Sequence, residues 1–122
     1  MNQPSINKRK IGAQYEEKAV LFLKNKGIHI LEQNFRNRFG EIDIIASDRG
    51  TYLFIEVKYR RTDQTGNPAY AVTKSKQATI CKVADYYRVC HHFTAATPCR
   101  FDVITILGEE ITWYENAFPY QG

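Results

Sequence analysis

The sequence predicts an α/β domain with a central mixed sheet of about five strands, in the order helix, three strands, helix, two strands. Two stretches, near residues 11–26 and 73–90, repeat apolar side chains at the spacing of an amphipathic helix. Strand candidates fall as three before the second helix and two after it. The alternation of apolar and polar residues is clearest in Glu41–Ile44, Leu53–Lys58 and Arg100–Leu107. The run from Gly40 to Lys58 also gathers three carboxylates and an ammonium on one expected face of a hairpin.

Residues 1–10 read as a flexible basic tail with a Lys8-Arg9-Lys10 cluster, and residues 11–122 as one domain. The first helix extends from about Ile11 to Lys26 and stops at Gly27, a favourable residue after a helix end. Ile11, Tyr15, Ala19, Phe22 and Leu23 form its apolar arc, and Glu16 lies at the edge of that arc, where an unpaired carboxylate is costly. Glu16 is either a boundary residue paired to a Lys or Arg, or a carboxylate aimed at the hairpin.

Ile28–Leu31 is a short strand, and residues 33–39 connect it to the hairpin. In the hairpin, an even loop with Ala46 facing Thr51 sets Glu41 opposite Glu56 and Asp43 opposite Phe54. That register keeps Ile42, Ile44, Leu53, Ile55 and Val57 on a core face and Glu41, Asp43, Glu56 and Lys58 on a polar one. Like charges facing each other on a sheet need a compensating cation, either Lys58 or a metal ion.

A polar loop over 62–68 leads to the second helix, from an N-cap at Thr73 to near Cys90. Gln77 lies at the rim of its buried face. Lys74 and Lys76 occupy its first turn, where cations oppose the helix dipole. The last unit pairs Arg100–Leu107 with Ile111–Tyr114 across a turn at Gly108-Glu109-Glu110. Asp102, on the face of Ile104 and Ile106, calls for a neighbouring Arg or backbone donor.

Composition bounds the function. The 122 residues are 43% hydrophobic and 25% charged, as in a soluble globular domain, with no apolar run near the ~20 residues of a membrane span and no signal-peptide core. The net charge of +4 hints at a polyanionic partner. Three cysteines without a CxxC pair suggest a reducing cytoplasm. His29, His91 and His92 lack metal-ligand spacing.

Asp43 and Glu56 come from adjacent strands, and converging carboxylates with room for water are how proteins hold Mg²⁺. Lys58, two residues after Glu56, projects from the same face, where it can orient an attacking water or stabilise transition-state charge. These are parts for metal-dependent phosphodiester hydrolysis. No Ser or Cys nucleophile motif and no glycine-rich phosphate loop competes with them. Arg36, Arg38, Arg60, Arg61 and Lys76 supply cations for a nucleic-acid backbone, although Arg36 and Arg38 equally serve to balance the acidic strand. The alternative is a nucleic-acid-binding or interaction domain with weak or no cleavage, in which Glu41, Asp43, Glu56 and Lys58 form a structural charge network.

At these residues the chain resembles the D-(D/E)xK nuclease superfamily, with its restriction-endonuclease-like fold, and more closely the YraN-type endonuclease-like family of bacteria. Gly12-x3-Glu16-x2-Ala19 resembles that family's first helix, and Asn34-Phe35-Arg36 followed by Gly40-Glu41-Ile42-Asp43 its signature. Phe54-Ile55-Glu56-Val57-Lys58 resembles the catalytic strand, Ser75-Lys76-Gln77 the second helix, Arg100-Phe101-Asp102-Val103 the next strand and Asn116-Ala117-Phe118 the end. The resemblance implies a DNA endonuclease using Mg²⁺ or Mn²⁺ held by Asp43 and Glu56, with Glu16 as an additional acidic ligand. It further implies Lys58 as the catalytic lysine and Gln77 as a supporting polar group. Glu41 is left to shape the field. Ala78 and Thr79 stand where family members often carry basic residues. Similarity to archaeal Holliday-junction resolvases implies branched DNA and a homodimer.

Overall fold

A computed structural model describes residues 4–60 and 72–122, with side chains described from residue 9 onward. Helix α1 (Pro4–Asn25) starts seven residues before Ile11, inside the stretch that the sequence assigns to a tail. Gly27, at φ 83°, ends it: the Gly27 amide donates to the Lys24 carbonyl and the Ile28 amide to the Leu23 carbonyl. This pair of bonds satisfies the last turn and turns the chain into the sheet.

Strands β1 (His29–Asn37), β2 (Gly40–Asp48) and β3 (Thr51–Arg60) follow, then α2 (Lys74–Cys90), β4 (Cys99–Leu107) and β5 (Glu110–Phe118). They form one five-stranded sheet in the order β1-β2-β3-β4-β5, antiparallel throughout except for the parallel pair β3–β4. This is the mixed α/β sheet, flanked by helices in the order αβββαββ, that the sequence predicts. The parallel pair requires a crossover connection. Helix α2 lies in that connection, and the Thr73 hydroxyl caps it by accepting from the Lys76 amide.

The two helices cover opposite faces of the sheet. On one face, Ala19, Val20 and Leu23 of α1 pack with Ile44, Ala46, Leu53, Ile55, Val57, Ile104 and Ile106. On the other, Ile80, Cys81, Val83, Ala84 and Tyr87 of α2 pack with Ile42, Ile45, Phe54, Phe101 and Val103. The hairpin is therefore buried on both faces over most of its length, and the expected polar face survives only at one end. No described helix is long and apolar enough to cross a membrane.

Three sequence expectations are corrected here. The β2–β3 loop is even but two residues long: Asp48 pairs with Thr51, so Ala46 faces Leu53 rather than Thr51. Arg49 at φ 53° and Gly50 at φ 90° supply the left-handed pair of a type I′ turn, whose twist suits a tight hairpin. The shift by two takes Glu41 away from Glu56 and Asp43 away from Phe54. Secondly, Ile42 packs under α2, whereas Ile44 packs under α1. Alternation breaks between them at Asp43, opposite the left-handed Asn34 (φ 54°) of the partner strand. Thirdly, two strands are longer than read. The stretch taken as a connector after Leu31 continues β1 to Asn37, and β5 continues past Tyr114 to Phe118.

Asp102 explains the second extension. It is fully buried and accepts from Arg100 Nε at 3.0 and 3.2 Å, Trp113 Nε1 at 2.9 Å and the Asn116 amide at 2.8 Å. The β4–β5 register shifts between Phe101 and Val103, and the Asn116 amide is satisfied by this carboxylate. The sequence reading of Asp102 as a satisfied buried acid holds.

Candidate functional site

Pairing between β2 and β3 runs from Asp48↔Thr51 to Ile44↔Ile55 and stops there. Past that point β2 pairs with β1, as in Ile42↔Phe35 and Glu41↔Arg36, and β3 pairs with β4 out to Arg60↔Leu107. Continued one rung, the register sets Asp43 level with Glu56. In place of a backbone rung, the Val57 amide donates to Asp43 Oδ2 at 2.8 Å. A side chain thus occupies the fork between two strands, and that fork is where the charged groups collect.

Glu16 reaches the fork from α1. One carboxylate oxygen from each of Glu16, Glu41 and Asp43 lies within 4.8 Å of the others. Asn34 lies between the rungs Gln33↔Ile44 and Phe35↔Ile42, with its side chain close enough to Glu16 to favour that carboxylate's charged form. An Asn tolerates left-handed backbone better than most residues, which suits this position. Glu56 is buried, at 5% exposure, and turns Oε2 towards Lys58 Nζ at 3.5 Å and Lys76 Nζ at 3.9 Å. The Lys76 ammonium, set against the α2 dipole, finds its counter-charge there. Arg36 Nη2 holds Glu41 Oε1 at 2.7 Å from the solvent side.

Burial, then the Glu56 charge, push the Asp43 carboxyl up from 3.8 to about 8, with the Val57 amide pulling the other way. Burial also raises Glu16. Asn34 opposes that shift, while Glu41 and Glu56 add to it. A carboxyl that retains its proton near neutral pH marks a cluster short of positive charge. Its donors are all oxygens, the set that suits a hard divalent cation.

The structure therefore gathers Glu16, Asp43, Glu56, Lys58 and Lys76, with Arg36 at the rim. It does not bring in Gln77, whose Nε2 donates to the Val72 carbonyl at 2.9 Å and whose Oε1 accepts from Gln121 Nε2. Arg38 lies over the Phe39 ring at 4.9 Å, and Arg60 is exposed at the end of β3. Arg61 and the 62–68 loop lie outside the described residues. Two residues gain roles the sequence reading did not give them. Glu41 joins the tightest carboxylate group, and Asn34 favours the charged form of Glu16. The signal for Glu41 was its alternation with Asp43, and for Asn34 its residue type.

A further requirement of the fork is legible at Gly40, whose φ is 154°. A Cβ there would stand 2.5 Å from Thr79 Cγ2, so only glycine lets α2 approach the start of β2 so closely.

Known proteins resemble the chain over most of its length. A protein of Lachnoclostridium phytofermentans named UPF0102 protein is 43% identical over 117 residues, covering 96% of this chain and 99% of its own. Relatives of that family name from Fusobacterium nucleatum and Shewanella loihica are 42% and 39% identical, over 91% and 88% of this chain and 92% of their own in each case. The profile described as "Uncharacterised protein family UPF0102" matches residues 15–106, a span holding Glu16, Glu41, Asp43, Glu56, Lys58 and Lys76. The chain belongs to the UPF0102 family.

Proposed function

We propose that the protein is a metal-dependent endonuclease that hydrolyses phosphodiester bonds in DNA, using Mg²⁺ or Mn²⁺. The observation that carries this reading is the approach of Glu16, Glu41 and Asp43 to within 4.8 Å beside the Glu56–Lys58 pair. The oxygen-only donors fit a hard cation rather than a soft one. Asp43, Glu16 and Glu56 would hold the ion, and Glu41, close to Glu16 and Asp43, would add a fourth carboxylate. When bound, such an ion neutralises charge at a scissile phosphate.

The chain's own groups do the rest. The Val57 amide fixes Asp43 against rotation, and Asn34 favours the charged form of Glu16. Lys58 stabilises the negative charge that develops on phosphoryl oxygens, and Lys76 supplies a second ammonium beside the same Glu56 oxygen. Arg36 and Arg60 are exposed cations for the backbone of the nucleic acid. Branched or otherwise structured DNA as substrate, a homodimer as the active form and a cytoplasmic setting complete the reading. The free thiols of Cys81, Cys90 and Cys99 suit that setting.

Incubation with linear, nicked and four-way-junction DNA, with and without EDTA, tests the proposal, with Glu56→Ala as control. The expected result is cutting by the wild type in Mg²⁺ or Mn²⁺ that EDTA and Glu56→Ala abolish. Failure to cut any of these substrates in either metal overturns it. One observation favours the other reading, a nucleic-acid-binding domain without cleavage: Glu56 already has two lysine partners. On that reading Glu56→Ala leaves two partly exposed ammoniums without their counter-charge and lowers stability modestly, with no change in metal affinity.

A further inference from the structure

Helix α1 and strand β3, which deliver Glu16 and Lys58, each carry a tyrosine at the adjacent position, and these two side chains meet. The Tyr15 and Tyr59 rings stack with centroids 4.4 Å apart and planes inclined by only 12°. Tyr15 is partly buried against the α1 side of the core, and Lys18 Nζ lies 5.2 Å from its ring centroid. Tyr59 belongs to neither core cluster and is 37% exposed. Packing alone accounts for Tyr15. The Tyr59 ring rests on Tyr15 and keeps about a third of its surface open beyond that contact, enough to present an aromatic surface to a ligand.

Successive residues of a strand point to opposite faces, so Tyr59 lies on the α1 side of the sheet while Lys58 and Lys76 lie on the α2 side. Tyr59 directly follows Lys58 at the end of β3, so the two faces meet at the strand end where a polynucleotide bound through Lys58 would pass. We propose that the Tyr15–Tyr59 pair is a stacking platform for an unpaired nucleobase, so that the preferred ligand is DNA with single-stranded residues beside the bound phosphate. The inference rests on the reading that nucleic acid binds at the fork. Every base offers a flat π face, so such a platform is tolerant of sequence. A base inside an intact duplex keeps its faces against its neighbours and gains nothing from the platform. Tyr15 backs the ring of Tyr59, and Lys18 adds the positive charge a polyanion requires.

The test is fluorescence anisotropy in EDTA, which prevents cutting, with a labelled blunt duplex and the same duplex bearing a single-stranded overhang. Wild type, Tyr59→Phe and Tyr59→Leu are compared, with thermal melts to show that all three are folded. The expected result is a wild-type preference for the overhang, kept by Tyr59→Phe and reduced about tenfold by Tyr59→Leu, with blunt-duplex binding equal in all three. The proposal is overturned if the wild type shows no preference, or if Tyr59→Leu binds the overhang like the wild type or loses both ligands equally. Cleavage in Mg²⁺ by wild type and Glu56→Gln separates this from the nuclease reading. Preference for the overhang without any cutting sinks the nuclease and leaves the platform standing. Cutting with no effect of Tyr59→Leu on the overhang sinks the platform alone.

Discussion

The Val57 amide donates to the carboxylate of Asp43 at 2.8 Å where the β2–β3 ladder would otherwise place a carbonyl. One bond therefore does two things. It satisfies a buried donor at the point where the strands part, and it locks an acidic side chain beside Glu56. The same bond makes Asn, which keeps an acceptor oxygen, a better probe of the Asp43 charge than Ala, which leaves the Val57 amide without a partner.

Asp43 makes the stability of the metal-free protein depend on pH. The folded chain retains the Asp43 proton up to about 8, whereas the unfolded chain releases it near 3.8. Over that interval the folded state binds more protons, so stability from this group is fully present below about pH 4 and is lost as pH rises through about 8. Urea titrations in EDTA across this range should show stability falling with pH in the wild type and a shallower fall in Asp43→Asn. Equal slopes in the two proteins rule the assignment out.

A divalent cation held at the fork is expected to reverse the sign of that crowding. With Mn²⁺ or Mg²⁺ at 100 times its dissociation constant, the wild type should gain about 2.7 kcal/mol of stability. Titration calorimetry on Asp43→Asn and Glu56→Gln should show that binding weakened severely, with metal-free stability unchanged or raised. Glu41→Gln should also weaken it, since Glu41 stands in the same group of oxygens as Glu16 and Asp43.

Gly40→Ala introduces a Cβ at a φ of 154° and only 2.5 Å from the Thr79 methyl. Backbone strain together with displacement of α2 should cost about 1–3 kcal/mol in chemical denaturation. Adding Thr79→Ser, which removes that methyl, should recover the steric share and not the backbone share.

Asp102→Ala removes a fully buried carboxylate that accepts from Arg100, Trp113 and Asn116. Three donors lose their acceptor at once, and Arg100 keeps only Glu115, 2.9 Å away at the surface. The loss should reach about 3–5 kcal/mol, much the largest among these variants, with no change in metal affinity.

Much of this was legible in the residues themselves. Gly27 as a helix stop, Thr73 as a cap and the alternation in β3 and β4 are local chemistry. They act through bonds to neighbours a few positions away, so a linear reading finds them. Asp43, Glu56 and Lys58 were legible for a related reason. A polar residue recurring at period two on an apolar strand declares a face, whatever lies opposite.

What the chain could not declare alone is how faces meet. The hairpin register depended on whether Arg49 would enter left-handed backbone, and a slip of two residues keeps the period-two pairing of Ile44 with Leu53, Ile55 and Val57 on one face. The pattern could not choose between the two registers, and only the paired strands did. The ends of β1 and β5 were hidden because irregular pairing breaks alternation, and in β5 the bulge is held by Asp102, fourteen residues before Asn116. Glu41 and Asn34 became part of the site only once α1 lay across the opened fork and brought Glu16 against them. The composition of the centre was thus written in local order. Its geometry was decided by a ladder that stops one rung short, because there a side chain satisfies the amide that a strand would have satisfied.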